Sequence, residues 1–242
     1  MIPKKIHYCW FGGKPLTALG QKCLESWRKY FPDYEIIEWN ETNFDVNCCQ
    51  YVKEAYKAEK WAFVSDYARF KILYEHGGIY FDTDVEVIKS FDDILEKGNF
   101  MGCENKISTA NPGLGLAVAP GLGLVKEILN DYENDSFLND DGSLDLTTIV
   151  TRTTNILKRH GLENINELQI VADVNIYPVD YFCPIDMSSG RLIITENTHS
   201  IHRYVGSWET KKNKFRGRIY RFINRFLGEK IAEKIRKVVG HK

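Results

Sequence analysis

Two carboxylates one residue apart, Asp82 and Asp84, follow directly on the apolar run Ile79-Tyr80-Phe81. Residues i and i+2 of an extended segment point to the same side, so at a strand end both carboxylates face one crevice. Two such charges repel unless a cation lies between them. Hard divalent cations such as Mg²⁺ or Mn²⁺ take oxygen ligands and bridge to phosphates. Upstream, Asp66 and Arg69 stand three residues apart, which puts them on one face of a helix. That segment is otherwise apolar and aromatic, so a charged pair within it calls for more than a solvated ion pair. An acidic group that grips sugar hydroxyls, beside a guanidinium that forks onto phosphate or hydroxyl, supplies a reason.

The elements that must position these residues read as an α/β chain. Ile6, Tyr8 and Trp10 alternate with His7 and Cys9 ahead of Gly12-Gly13, a strand that ends in a glycine turn. Residues 16–30 read as a helix stopped at Phe31-Pro32, and 34–39 as a second strand. This opening resembles the start of a nucleotide-binding sheet. Phe63, Tyr67, Phe70, Leu73 and Tyr74 recur at helical spacing over 61–76, and Gly77-Gly78 ends that helix. Val85 and Val87 suggest another extended piece, and 99–103 a strand. The glycine-rich stretch 110–119 reads as a loop, 121–132 as a helix, 134–143 as a polar loop, 147–160 as a helix and 171–181 as extended.

The run FVSDYARFKILYEHGGIYFDTDV resembles the DxD-containing core of glycosyltransferase family thirty-two, a core shared with the catalytic domains of the large clostridial glucosylating toxins. IHYCWFGG is similar to that family's opening strand, and SIHRYVGSW to its late histidine motif. Arg203 stands where a second histidine is common, which leaves His202 as the match. The resemblance implies a GT-A fold with a mixed central sheet flanked by helices, a UDP-sugar donor, a divalent metal and retention of configuration. Residue by residue, it implies that Trp10, with Tyr8 in the same strand, holds the base and that Asp66 and Arg69 contact the donor sugar. It further implies that Asp84 binds the metal, that Asp82 bridges metal and ribose, that His202 completes the metal set and that Trp208 closes the donor pocket. An imidazole beside carboxylates suits Mn²⁺ better than Ca²⁺, with Mg²⁺ the other expectation. The expected product is a sugar (hexose or N-acetylhexosamine) on a glycan or lipid-linked oligosaccharide of a capsular or other surface polysaccharide. A toxin-like enzyme with a protein acceptor is the alternative, against which the absence of translocation or receptor-binding domains counts.

Other classes fit less well. A phosphatase of the DxD type needs Thr or Val at the fifth position of its motif, where this chain has Glu86. No GKS or GKT follows the glycine-rich stretch, so it is not a P-loop. The net charge of −1 conceals an asymmetry: residues 211–242 carry 12 Lys and Arg against 2 Glu, while the remaining 20 basic residues face 31 acidic ones. An acidic body argues against nucleic-acid binding. In the tail, Phe215, Ile219, Phe222, Ile223, Phe226 and Leu227 recur at helical steps among the basic residues. Residues 211–242 are therefore expected to be a basic amphipathic helical appendage to a domain over 1–210, suited to an anionic membrane surface. Neither a long apolar run at MIPKKIHYCW nor a spanning stretch of about 18 apolar residues is present. The six scattered cysteines suit free thiols. The expected place is the cytoplasm, including the inner face of the membrane.

Overall fold

The computed structural model describes residues 1–186 and 189–204. The basic tail over 211–242, the domain boundary at 210 and Trp208 lie outside the described residues. Along the chain run β1 (Lys5–Cys9), α1 (Ala18–Tyr30), β2 (Glu35–Trp39), α2 (Gln50–Lys57), α3 (Trp61–His76), β3 (Gly78–Tyr80), β4 (Val85–Val87), α4 (Asp92–Leu95), β5 (Phe100–Cys103) and β6 (Ala110–Val118). They are followed by α5 (Gly123–Glu133), α6 (Ile149–Arg159), β7 (Gln169–Val171), β8 (Val174–Tyr177), α7 (Val179–Phe182) and β9 (Ser200–His202). Seven strands form a mixed sheet in the order β2-β1-β3-β6-β5-β8-β7, and β4 pairs with β9 in a separate ribbon. β1 is parallel to β2 and β3, whereas β6 is antiparallel to β3 and β5. This is an α/β fold with a mixed central sheet flanked by helices.

Strand alternation sends side chains to two apolar layers. Tyr80, Leu116 and Val118 face one core with residues of α2, α3, α5 and α6. Ile79, Phe81, Leu114 and Ala117 face the other, with Trp27 of α1, Phe91, and Phe182 of α7. Trp27 is fully buried and donates its indole N–H to the Val85 carbonyl at 2.8 Å, which fixes β4 against α1. Helix α1 starts where the Thr17 hydroxyl accepts from Gly20 N. Helix α3 has the bounds expected and stops at Gly77, whose φ of 60° and close fit against Pro3 and Pro120 suit no side chain. Among the described residues, no helix is long and apolar enough to cross a membrane.

Two expectations are corrected. Residues 110–119 are not a loop: among the described strands β6 is the longest, it is the central strand of the seven, fourth from either edge between β3 and β5, and it is buried at all nine residues. Its glycines mark places where neighbours approach the backbone rather than turns. Residues 171–181 are not one extended piece. Ala172 and Asp173, at φ 48° and 63°, turn β7 back on β8, and α7 follows.

Candidate functional site

β1 and β3 lie side by side in parallel with His7 opposite Tyr80. Two residues further along, Cys9 and Asp82 leave the sheet at the same edge, the carboxyl ends of parallel strands where open α/β sheets bind ligands. The turn carrying Asp82-Thr83-Asp84 is held by Asp82 N to the Gly113 carbonyl (3.1 Å) and Val85 N to the Asp82 carbonyl (3.0 Å). β4 then pairs with β9, which sets Val85 opposite His202, and Arg203 N donates to the Asp84 carbonyl at 2.9 Å. The ribbon thus carries a histidine from late in the chain to the two carboxylates.

His202 Nε2 lies 2.9 Å from Asp84 Oδ1 and 3.9 Å from Asp82 Oδ2. One ligand atom from each of the three residues falls within 4.8 Å of the others. Two carboxylates and an imidazole at this spacing are a donor set for a divalent cation of the Mn²⁺ or Mg²⁺ kind. Burial disfavours a protonated His202, but Asp84 and then Asp82 outweigh it and hold the imidazole above its ordinary value. Its Nδ1 is buried and has no hydrogen-bond partner among the described residues, and the Tyr204 ring stands edge-on 4.1 Å away. Burial raises Asp82, the Arg69 guanidinium opposes that, and Asp84 adds to it. The site therefore has a standing demand for positive charge.

The two oxygens of Asp82 serve different neighbours. Oδ2 faces His202, while Oδ1 accepts from Arg69 Nη1 at 3.0 Å. Arg69 Nη2 donates to Asp66 Oδ1 at 2.9 Å and Nε to the Ser65 carbonyl at 3.2 Å, with the guanidinium 4.5 Å over the Tyr80 ring. The Arg69 side chain is only 4% exposed, which makes this a built charge relay and not a surface pair. Asp66 is pushed up to about 7 by burial, against the pull of Arg69 and of the Ile149 N–H that opens α6. Asp66, Arg69, Asp82, Asp84 and His202 are thus brought together. Trp10 follows β1 at the same edge, half-buried, its Nε1 donating to the Lys14 carbonyl at 2.5 Å. Tyr8 is buried against Trp27, and its hydroxyl is committed to Glu38 at 2.6 Å. Arg203 pairs with Glu86, which also binds Lys22, and so braces the ribbon.

Three residues of this site carry no short-range signal in the sequence. Gly113 is forced by Asp82: a Cβ there would sit 2.1 Å from Asp82 Oδ2. Asn111 accepts from Gly113 N at 2.8 Å and donates to Glu104 Oε2 at 2.9 Å, and Glu104 is raised by burial. All three sit in or beside the strand that reads as a loop. Gly113→Ala should displace the Asp82 carboxylate from both Arg69 and His202 with little loss of fold. The expected result is a tenfold to about hundredfold weaker affinity for Mn²⁺ by calorimetry, the usual scale for disturbing a ligand's support. Wild-type metal affinity in a folded Gly113→Ala protein would rule this geometry out.

Residues 18–101 match the family described as glycosyltransferase sugar-binding region containing DXD motif. The chain is 28% identical over 127 residues to inositol phosphoceramide mannosyltransferase 3 of Schizosaccharomyces pombe, covering 48% of this chain and 33% of that protein. It is 32% identical over 109 residues to an uncharacterized glycosyltransferase of Acanthamoeba polyphaga mimivirus, covering 41% of this chain and 42% of that protein. The chain therefore spans well under half the length of the curated relatives it matches. Among solved structures, the PaToxG glycosyltransferase superposes with a TM-score of 0.52 at 19% identity, over 65% of this chain and 69% of that one, a likeness of fold.

Proposed function

We propose that this protein is a metal-dependent, retaining glycosyltransferase that moves a sugar from a UDP-sugar to a glycan or lipid-linked acceptor in surface polysaccharide synthesis. The observation that carries the reading is the joining of two arrangements at one sheet edge. One is the Asp82, Asp84 and His202 donor set; the other is the buried Asp66–Arg69 relay that shares Asp82 with it. The DXD sugar-binding region matched over 18–101 supports it.

Asp82, Asp84 and His202 would hold a divalent cation, and the chemistry it supplies is neutralisation of the charge on a departing diphosphate. Arg69, fixed by three acceptors, presents a positive charge that cannot be lost at working pH. Asp66 offers a carboxylate to sugar hydroxyls while Arg69 and Ile149 N hold it in place. Trp10, its indole N–H tied to Lys14, offers a ring face on which a base can stack.

By name, two fission-yeast relatives are inositol phosphoceramide mannosyltransferases, which supports a lipid-linked acceptor and puts a mannosyl donor beside the UDP-hexoses as the sugar to test. The 12 basic residues over 211–242 support a place on an anionic inner membrane surface. A protein acceptor is the second reading, and the fold shared with the PaToxG glycosyltransferase is compatible with either.

The deciding experiment is a screen of nucleotide sugars for Mn²⁺- or Mg²⁺-dependent hydrolysis, with thermal stabilisation as the parallel readout. Failure of every nucleotide sugar to bind or react would overturn the reading. Within a positive screen, Asp66→Ala should weaken binding of the intact donor more than that of the free nucleoside diphosphate. Trp10→Ala should weaken both alike, by about 1–3 kcal/mol if its ring stacks on the base. Equal losses of both ligands in Asp66→Ala calorimetry would remove Asp66 from sugar recognition.

A further inference from the structure

We infer that the exposed apolar face around α7 is the surface on which this protein docks to a lipid bilayer. The inference rests on the membrane-associated reading above and adds to it the part of the folded body that meets the lipid. Large aliphatic side chains left in water are concentrated here. On one flank, Ile107 is 61% exposed and Ile170, on the edge strand β7, is 75% exposed. On the other, Leu192, Ile193 and Ile194 are 45%, 55% and 55% exposed in succession. Both flanks are tied to α7 and its ends. Ser108 donates to the Ile165 carbonyl, and Asn166 Oδ1 accepts from Val179 N, the first residue of the helix. Ile193 N donates to the Pro184 carbonyl at 2.8 Å, and Asn197 Nδ2 to Asp180 Oδ2 at 3.0 Å. A run of three consecutive aliphatics, each left about half exposed among the described residues, is unfavourable in a free-standing domain and marks a contact surface.

The place where the basic segment begins selects the occupant. Cys183 at the end of α7 lies 3.0 Å from the Tyr204 hydroxyl, and the Tyr204 ring lies 4.1 Å from His202. The described chain ends at Tyr204, beside this face, and the sequence that continues from it carries 12 Lys and Arg over 211–242. Exposed apolar side chains and a polybasic segment in one chain are the pair of weak signals that together hold a protein on an anionic bilayer, where either alone is marginal. A second copy of the chain would instead bring two such basic segments together across one interface. On a bilayer, the face would bring the Asp82, Asp84 and His202 cluster to the level from which a lipid-linked acceptor projects.

The test is co-sedimentation of the full-length protein with vesicles of phosphatidylcholine containing a minority of phosphatidylglycerol, at low salt and at high salt. Wild type should bind, and Leu192→Ser with Ile193→Ser and Ile194→Ser should bind about tenfold more weakly at both salt levels. Its thermal melting and its hydrolysis of donor in solution should be unchanged. Ile170→Ser, on the opposite flank, should show a smaller loss and serves as the independent variant if the triple substitution melts early. Wild-type binding by both variants would overturn the proposal. So would a wild type that ignores these vesicles, or substitutions that abolish self-association while leaving vesicle binding intact. Vesicle binding requires no donor, so an inactive protein that still binds through this face would sink the enzyme reading alone. An active protein that binds through the tail alone would sink only this one.

Discussion

Asp84→Asn should lower donor turnover ~10²–10³-fold, the scale of removing one major electrostatic contributor to a transition state. The carboxylate is lost while the shape of the side chain and its surroundings stay the same. Asp84 holds His202 Nε2 at 2.9 Å, and its backbone carbonyl, which the substitution leaves alone, anchors Arg203 N. The fold should therefore survive, with an unfolding midpoint close to that of the wild type. The measurement is turnover of the donor found in the screen at saturating Mn²⁺, with circular dichroism on the same sample. Near wild-type turnover in a folded protein would mean that Asp84 is not part of a metal site.

Arg152→Ala should lower stability by about 1–3 kcal/mol, as for losing several charged hydrogen bonds of a buried arginine whose carboxylate partners are partly exposed and screened by solvent. The Arg152 side chain is 8% exposed and reaches Asp131, Asp135 and Asp145, with its guanidinium stacked over Tyr51 and Tyr132. Without it, three carboxylates face one another across the segment that joins α5 to α6. That segment leads to Ile149, whose N–H supports Asp66, so the damage should extend to the site as weaker donor-sugar affinity. Urea unfolding of the apo protein measures the first effect and calorimetry with the intact donor the second. A stability change under about 1 kcal/mol would place the cluster among ordinary surface ion pairs.

Some of this site is plain in the sequence because its residues are close together along the chain. The helical period over 61–76 fixes which residues of α3 are apolar, and that is what makes Asp66 and Arg69 stand out. Asp82 and Asp84 follow an apolar strand at the spacing that puts two carboxylates on one side. His202 is a different case. Nothing local distinguishes it, and the resemblance of its motif alone points to it; its place beside Asp84 exists only through the β4–β9 pairing. Gly113 escapes notice because glycine has the same letter whether it makes a turn or admits a carboxylate against a strand, and Asn111 and Glu104 because only the β5–β6 pairing brings them to it. Helix α2, with Tyr51, Val52 and Ala55 buried over eight residues, is too short for its period to register. Arg152 looks like any helical arginine until Asp131, Asp135 and Asp145 are folded onto it.

The β4–β9 ribbon has a consequence for how the protein is made. Residues 200–202 are synthesised long after Asp66, Arg69, Asp82 and the Gly113 and Ile149 backbone groups that support them, so the acidic cluster precedes its histidine along the growing chain. Until β9 docks, Asp82 and Asp84 have neither His202 beside them nor the bond from Arg203 N. The nascent polypeptide therefore passes through a stage in which its acidic crevice is open and incomplete. The last described strand is then the piece that completes the Asp82, Asp84 and His202 cluster, so the proposed metal site can exist only once nearly all of the described chain has been made.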